Sequence, residues 1–254
     1  MKPHETISAA ITNARDGMAI VAFITAGYPK KEQFEQHLAA IGNEADVVEI
    51  GVPFTDPMAD GMTIQRSSRA ALAQGVSLAW LLETLAKMQR PKAPLVLMSY
   101  LNPLLAYGYA RLARDSAAAG VSGFIVPDLP YDESADFRAA LADHGLASIQ
   151  MITPVTGPER MAKLCAATQG FVYAVTMTGT TGRTAAVPAD VTRYLDSARA
   201  TSRAPVCAGF GIRGREQVEQ LKGHVAGVIV GSALVEVLEN GQDAAAFLRA
   251  LRPN

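Results

Sequence analysis

Residues 46–65 read DVVEIGVPFTDPMADGMTIQ: a short apolar, β-rich run that carries one carboxylate, Glu49, just before it ends and then gives way to an acidic loop. A carboxylate at that position faces a core or a pocket. Gly51, Pro53, Pro57 and Gly61 rule out a regular element after the run and hold Asp56 and Asp60 on a constrained loop. Three acids therefore gather near one strand end. Spacing alone leaves two meanings for Glu49, a strand-terminal acid paired with a basic neighbour or a titratable group of a functional site.

Outward from this stretch the chain repeats one theme, an apolar run followed by an amphipathic helical stretch. Strands are predicted over 19–25, 46–50, 94–99, 122–126, 147–152, 170–175, 204–208 and 227–230. Helical patterns fall between them over 31–41, 63–89, 104–119, 134–144, 159–167, 189–200, 215–221 and 233–251. Eight βα units in 254 residues point to the α/β class and a (β/α)8 barrel. An additional N-terminal helix over 5–14 would cover the barrel floor. No linker divides the chain, so residues 1–254 read as a single barrel domain.

Composition narrows the function classes. At 49% hydrophobic and a formal charge of −1, the chain can bury a large core but offers no basic surface for nucleic acid. No apolar run approaches the ~20 residues that span a bilayer, and the polar start MKPHETISAAITNARDG lacks a signal-peptide core; neither a membrane nor export is expected, and the location reads as cytoplasmic. Cys165 and Cys207 sit in apolar contexts that suit buried thiols. His4, His37, His144 and His224 have no ligand spacing, so no protein metal site is expected.

In a barrel of this kind chemistry belongs to the carboxyl ends of the strands. The unusual residues collect there: Glu49 near the end of the second strand and Asp60 in the loop after it, Ser99-Tyr100-Leu101-Asn102 where the third ends, Val126-Pro127-Asp128 where the fourth ends. Tyr173 lies on the sixth strand, before Met177-Thr178-Gly179-Thr180-Thr181-Gly182-Arg183, a stretch suited to a lid. After the seventh come Gly209-Phe210-Gly211, and after the eighth Gly231-Ser232 and a new helix, where backbone amides can converge on a phosphate; Gly182 could supply a third wall. Gly209-Phe-Gly211-Ile-Arg-Gly214 also satisfies a dinucleotide pattern, but only one βα unit remains after it and no ribose-binding acid follows. The lysines, at 2, 30, 31, 87, 92, 163 and 222, leave none at a strand end for Schiff-base chemistry.

The segments EIGVPFTDPMADG, TIQ, RAALAQG, SYLNPLLAYG, GFIVPDLPYDES, APVCAGFGI and VIVGSALVE, in this order and spacing, resemble the tryptophan synthase alpha chain family over nearly the whole sequence. The resemblance implies retro-aldol cleavage of indole-3-glycerol phosphate to indole and glyceraldehyde 3-phosphate, with no cofactor on this chain. It also implies a beta chain partner in an α2β2 complex, with pyridoxal phosphate on the beta chain alone. By position, Glu49 matches the family's general acid/base and Asp60 its second catalytic carboxylate. Tyr173 matches a substrate-pocket residue; Tyr100, Thr181 and Phe23 are further candidate substrate contacts, with Phe23 open to a plain core reading, and Gly182, Phe210, Gly211, Gly231 and Ser232 form the candidate phosphate site. Asp56, with Thr181 and Gly182, matches loop closure. One departure is Thr180, where family members often carry an apolar residue. Two other readings stay open, a stand-alone indole-releasing lyase and a non-catalytic barrel partner subunit.

Overall fold

The computed structural model describes residues 1–176, 187–209 and 211–253. Its first elements are α1 (Pro3–Thr12), β1 (Ala19–Thr25), α2 (Phe34–Glu44) and β2 (Val47–Gly51). Next come α3 (Met62–Ala73), α4 (Leu78–Lys87), β3 (Leu95–Met98), α5 (Leu101–Tyr107), α6 (Tyr109–Ala118) and β4 (Val121–Ile125). The central units are α7 (Ala135–Ala142), β5 (Ala147–Ile152), α8 (Pro158–Ala167) and β6 (Val172–Val175). The last are α9 (Ala189–Thr201), β7 (Val206–Gly209), α10 (Arg215–Leu221), β8 (Gly227–Val230), α11 (Ser232–Glu239) and α12 (Ala244–Leu251).

All eight of these strands pair in parallel in chain order, and β8 returns to β1 to close a (β/α)8 barrel. The near-continuous apolar runs are explained by burial on both faces. Along β1, Ala19 and Val21 point inward to meet Val47, Val96, Ile149 and Ile229, whereas Ile20, Ala22 and Ile24 face the helices beside Phe34 and Leu38. Fully burying a side chain such as Phe34 or Ile24 contributes on the order of 2 kcal/mol each.

The floor is sealed by α1. Ile7 and Ile11 are buried in the inner layer, while Ser8 Oγ donates to the Gly170 carbonyl at 2.6 Å and His4 N to the Gly145 carbonyl at 3.1 Å. Arg252, past α12, straps the same end: its guanidinium donates to the Asp46 carboxylate at 3.1 Å and to the Glu44 carbonyl. Asp46 also accepts the Ile20 amide at 2.8 Å, so it caps the entrance to β2 instead of opening the strand, as the sequence reading had it.

Three helices expected as single rods are each two. The break between α3 and α4 falls at Gly75, whose φ of 75° is a left-handed value that only glycine adopts freely, and Ser77 then caps α4 by accepting from Trp80 N. Val76 inside this turn packs against Gly27, where a Cβ would come within 2.3 Å of the valine. Gly108 separates α5 from α6 in the same way, and Gly241 separates α11 from α12, with Asp243 capping the latter.

Candidate active site

Glu49 sits near the carboxyl end of β2, in register with Phe23 of β1 and Val96 of β3, and its side chain points into the barrel. It is 1% exposed, and its Oε2 has no hydrogen-bond partner among the described residues. Burial first, and the charge of Asp60 second, push its carboxyl up to about 8. Such a group is a neutral acid at pH 7 that can still give up its proton.

Asp60 is held from several directions on the loop after β2. Its amide donates to the Pro57 carbonyl at 3.1 Å, its carbonyl accepts from Gln65 Nε2 at 2.8 Å, and the preceding amide, Ala59 N, donates to Tyr100 Oη at 2.9 Å. Burial raises its carboxyl to about 6, against a hydrogen bond from Tyr100 that lowers it. The two carboxyls therefore differ in their willingness to ionise, the separation by which one fold supplies both an acid and an anion.

Aromatic rings and glycines shape the space around them. Tyr173 is buried, and its phenol is held protonated by burial first and by the neighbouring carboxyls of Glu49 and Asp60 second. A Cβ at Gly209 would come within 2.6 Å of the Tyr173 ring, and one at Gly51 within 2.5 Å of the Phe23 ring, so both rings rest on bare backbone. Tyr100 stacks on Phe54 with ring centroids 5.2 Å apart. Gly231 and Ser232 open α11 at the same end of the barrel, directing that helix's amino terminus to the mouth. Gly211 has a φ of 80°, and its carbonyl accepts from Gln217 Nε2.

Thus Glu49, Asp60, Tyr100, Tyr173 and Phe23 are brought together, with Gly211, Gly231 and Ser232 at neighbouring strand exits. Asp56 is not among them: it is exposed, and its carboxylate accepts from Thr55 Oγ1. Thr181, Gly182 and Phe210, and the expected lid over 177–183, lie outside the described residues. A separate cavity of about 140 Å³ lies behind β4 and β5, lined in part by Tyr131, Gln150 and Arg160, and holds none of these groups. Among the described residues no three His, Cys, Asp or Glu side chains converge as a metal-binding set.

Sequence reasoning missed a clasp beside the site. Glu236 of α11 accepts from Thr63 Oγ1 on α3 and from Arg213 in the loop after β7, and Glu239 pairs with both arms of the Arg66 guanidinium. The pairing of Arg66 has no local signal in the sequence. Its partner lies 173 positions away, visible only once α3 and α11 are known to be neighbours.

Residues 9–252 match the family model described as Tryptophan synthase alpha chain. The chain belongs to this family. The tryptophan synthase alpha chain of Nitratidesulfovibrio vulgaris strain DP4 is 45% identical over 234 residues, 91% of each chain. Among solved structures, tryptophan synthase subunit alpha from Legionella pneumophila superposes with a TM-score of 0.88 at 31% identity, covering 99% of this chain and 97% of that one. A Mycobacterium tuberculosis tryptophan synthase structure gives 0.87 at 35% identity over 99% and 97%. The tryptophan synthase alpha family catalyses lyase cleavage of indole-3-glycerol phosphate, and this chain is assigned that aldolase-type reaction in tryptophan biosynthesis.

Proposed function

We propose that Glu49 and Asp60 carry out this cleavage between them. The observation behind the proposal is the pair of carboxyls at the mouth of one barrel, Glu49 buried and raised to about 8, Asp60 half-buried and raised to about 6. Glu49, protonated at pH 7, delivers its proton to indole C3. The ring becomes cationic, and Asp60, ionised at the same pH, accepts a hydrogen bond from the ring N–H and balances the charge. The carboxylate left on Glu49 then takes the proton of the glycerol hydroxyl on the carbon attached to C3. The C–C electron pair returns to the ring, and indole and an aldehyde separate with Glu49 again protonated. Only protons move, so the reading calls on no cofactor in this chain.

Phe23 and Tyr173 wall the indole, with Tyr100 at the Asp60 side and Thr181 completing the pocket. The phosphate is received by backbone amides at Gly211, Gly231 and Ser232, together with Gly182 and Phe210, where the amino end of α11 favours an anion. Asp56, with Thr181 and Gly182, serves loop closure. Apart from Met1, the large apolar side chains exposed among the described residues, Met58, Met62, Leu105 and Val155, lie on segments that follow β2, β3 and β5, which supports a protein partner at the mouth. We assign that face to a beta chain that carries pyridoxal phosphate, in an α2β2 assembly within the cytoplasm. No helix among the described residues is long and apolar enough to cross a membrane.

Indole release from indole-3-glycerol phosphate, with and without a beta chain, tests the reading. Glu49→Gln and Asp60→Asn should each lower kcat by a hundred-fold or more, on the order expected for loss of proton transfer or of charge balance, with substrate affinity largely kept. Turnover within a few-fold of the parent in either variant refutes the corresponding role.

A further inference from the structure

The Asp60 loop is pinned by one side chain from another strand exit. Tyr100 follows β3, is 4% exposed, and touches the loop at two points: its ring stacks on Phe54, and its hydroxyl accepts the Ala59 amide at 2.9 Å. A tyrosine hydroxyl has a single proton. With the amide already donating to Oη, that proton is left for an acceptor, and the Asp60 carboxylate, one residue beyond Ala59, is the group that interacts with the phenol from the same loop. The other titratable groups facing the pair are Glu49 of β2, Tyr173 of β6 and Asp128 in the loop after β4. Asp128 already accepts the Leu101 amide at 2.8 Å. Glu49 is a neutral acid at pH 7, and the Tyr173 phenol stays protonated. Among the described residues, no cation faces Asp60 to keep it ionised.

We propose that Tyr100 is the positioning residue of Asp60, fixing the loop through Ala59 and donating its one proton to the carboxylate so that Asp60 stays ionised and aimed at the indole nitrogen. The proposal rests on the catalytic role assigned to Asp60. Burial drives Asp60 toward its neutral form, and the phenol is the group that opposes it.

The test is the pH profile of kcat/KM for indole release, with a beta chain present, for the parent, Tyr100→Phe and Asp60→Asn, beside a carbon-13 titration of the Asp60 carboxyl. Phenylalanine keeps the ring on Phe54 and deletes the hydroxyl, removing both its proton for Asp60 and its acceptance of the Ala59 amide. The acidic limb should move up by about one pH unit, so that activity falls about five-fold at pH 6 and by less than about three-fold at pH 8, and the carboxyl titration should move with it. Replacing Tyr100 by 3-fluorotyrosine, a stronger donor, should move the limb the other way and decides the matter if the phenylalanine variant does not fold. A uniform loss at every pH, or a raised KM with an unmoved limb, beside an inactive Asp60→Asn, overturns the proposal and leaves Tyr100 a structural or substrate contact. An active Asp60→Asn overturns the role of Asp60 and with it the catalytic meaning of the contact.

Discussion

Replacing Glu49 with glutamine should stabilise the fold at high pH, because the parent must carry a buried carboxylate there. The unfolded chain holds this group at its ordinary value of 4.5 and the fold holds it at about 8. The native state therefore binds the proton more tightly, and stability contributed by the protonated group is complete below pH 4.5 and lost as pH rises to about 8. At ~1.4 kcal/mol per pH unit this interval amounts to ~5 kcal/mol, and relaxation around the ionised group leaves ~3–5 kcal/mol to be observed. The buried amide has its own cost, but that cost does not depend on pH and cancels when two pH values are compared. Urea unfolding followed by circular dichroism at pH 5 and pH 9 measures the quantity directly. The variant-minus-parent stability should rise by ~3–5 kcal/mol between the two, equivalent to a gain of about 10 °C in relative Tm for a chain of this size. A difference that stays constant within ~1 kcal/mol would show that Glu49 ionises freely in the folded chain, and would remove the basis for its acting as an acid at neutral pH.

Three further outcomes are expected. The kcat/KM profile of the parent should be bell-shaped, with limbs near 6 and 8, since catalysis needs Asp60 ionised and Glu49 protonated; a flat profile from pH 5 to 9 would contradict the division of roles. Gly231→Asp should weaken glycerol 3-phosphate binding by about ten-fold or more, measured by calorimetry; its Cβ has room, 3.7 Å from the nearest Phe23 atom, so unchanged affinity would place the phosphate elsewhere. Gly209→Ala drives a methyl group to within 2.6 Å of the Tyr173 ring. It should cost ~1–3 kcal/mol in urea unfolding and lower indole release, whereas a silent substitution would mean that the ring is free to move aside.

The strands were legible because each is apolar on both faces and bounded by breakers; β1, β5 and β8 fall on their predicted ends. The misplacements have local causes. Gly170 has a φ of 79° and Phe171 N turns back to the Gln169 carbonyl, so β6 starts at Val172. Ala204 N is taken by Ser202 Oγ and Pro205 has no amide to donate, so β7 starts at Val206. The long helices misled because an apolar stripe continues in phase across Gly75, Gly108 and Gly241 while the backbone does not. At the site, Glu49 was readable as an acid within an apolar strand, and Asp60 from its loop and the family signature. The tie from Tyr100 to the Asp60 loop spans 41 positions and joins two strand exits. Nothing in either local pattern announces it; it exists only after β2 and β3 lie side by side.

The floor helix also carries information about time. α1 precedes every strand, yet the groups it bonds to, Gly145 and Gly170, lie 141 and 162 positions downstream. At a synthesis rate of ~5–20 residues per second, α1 waits about 10–30 s before Gly170 has even been made. During that interval Ile7 and Ile11 have no barrel interior to enter. Closing so long a loop is entropically costly until the strands between have assembled. The floor of the barrel is thus a late event in folding, settled only after β6 is made, and a nascent chain stalled before that point would expose the α1 stripe that the finished barrel conceals.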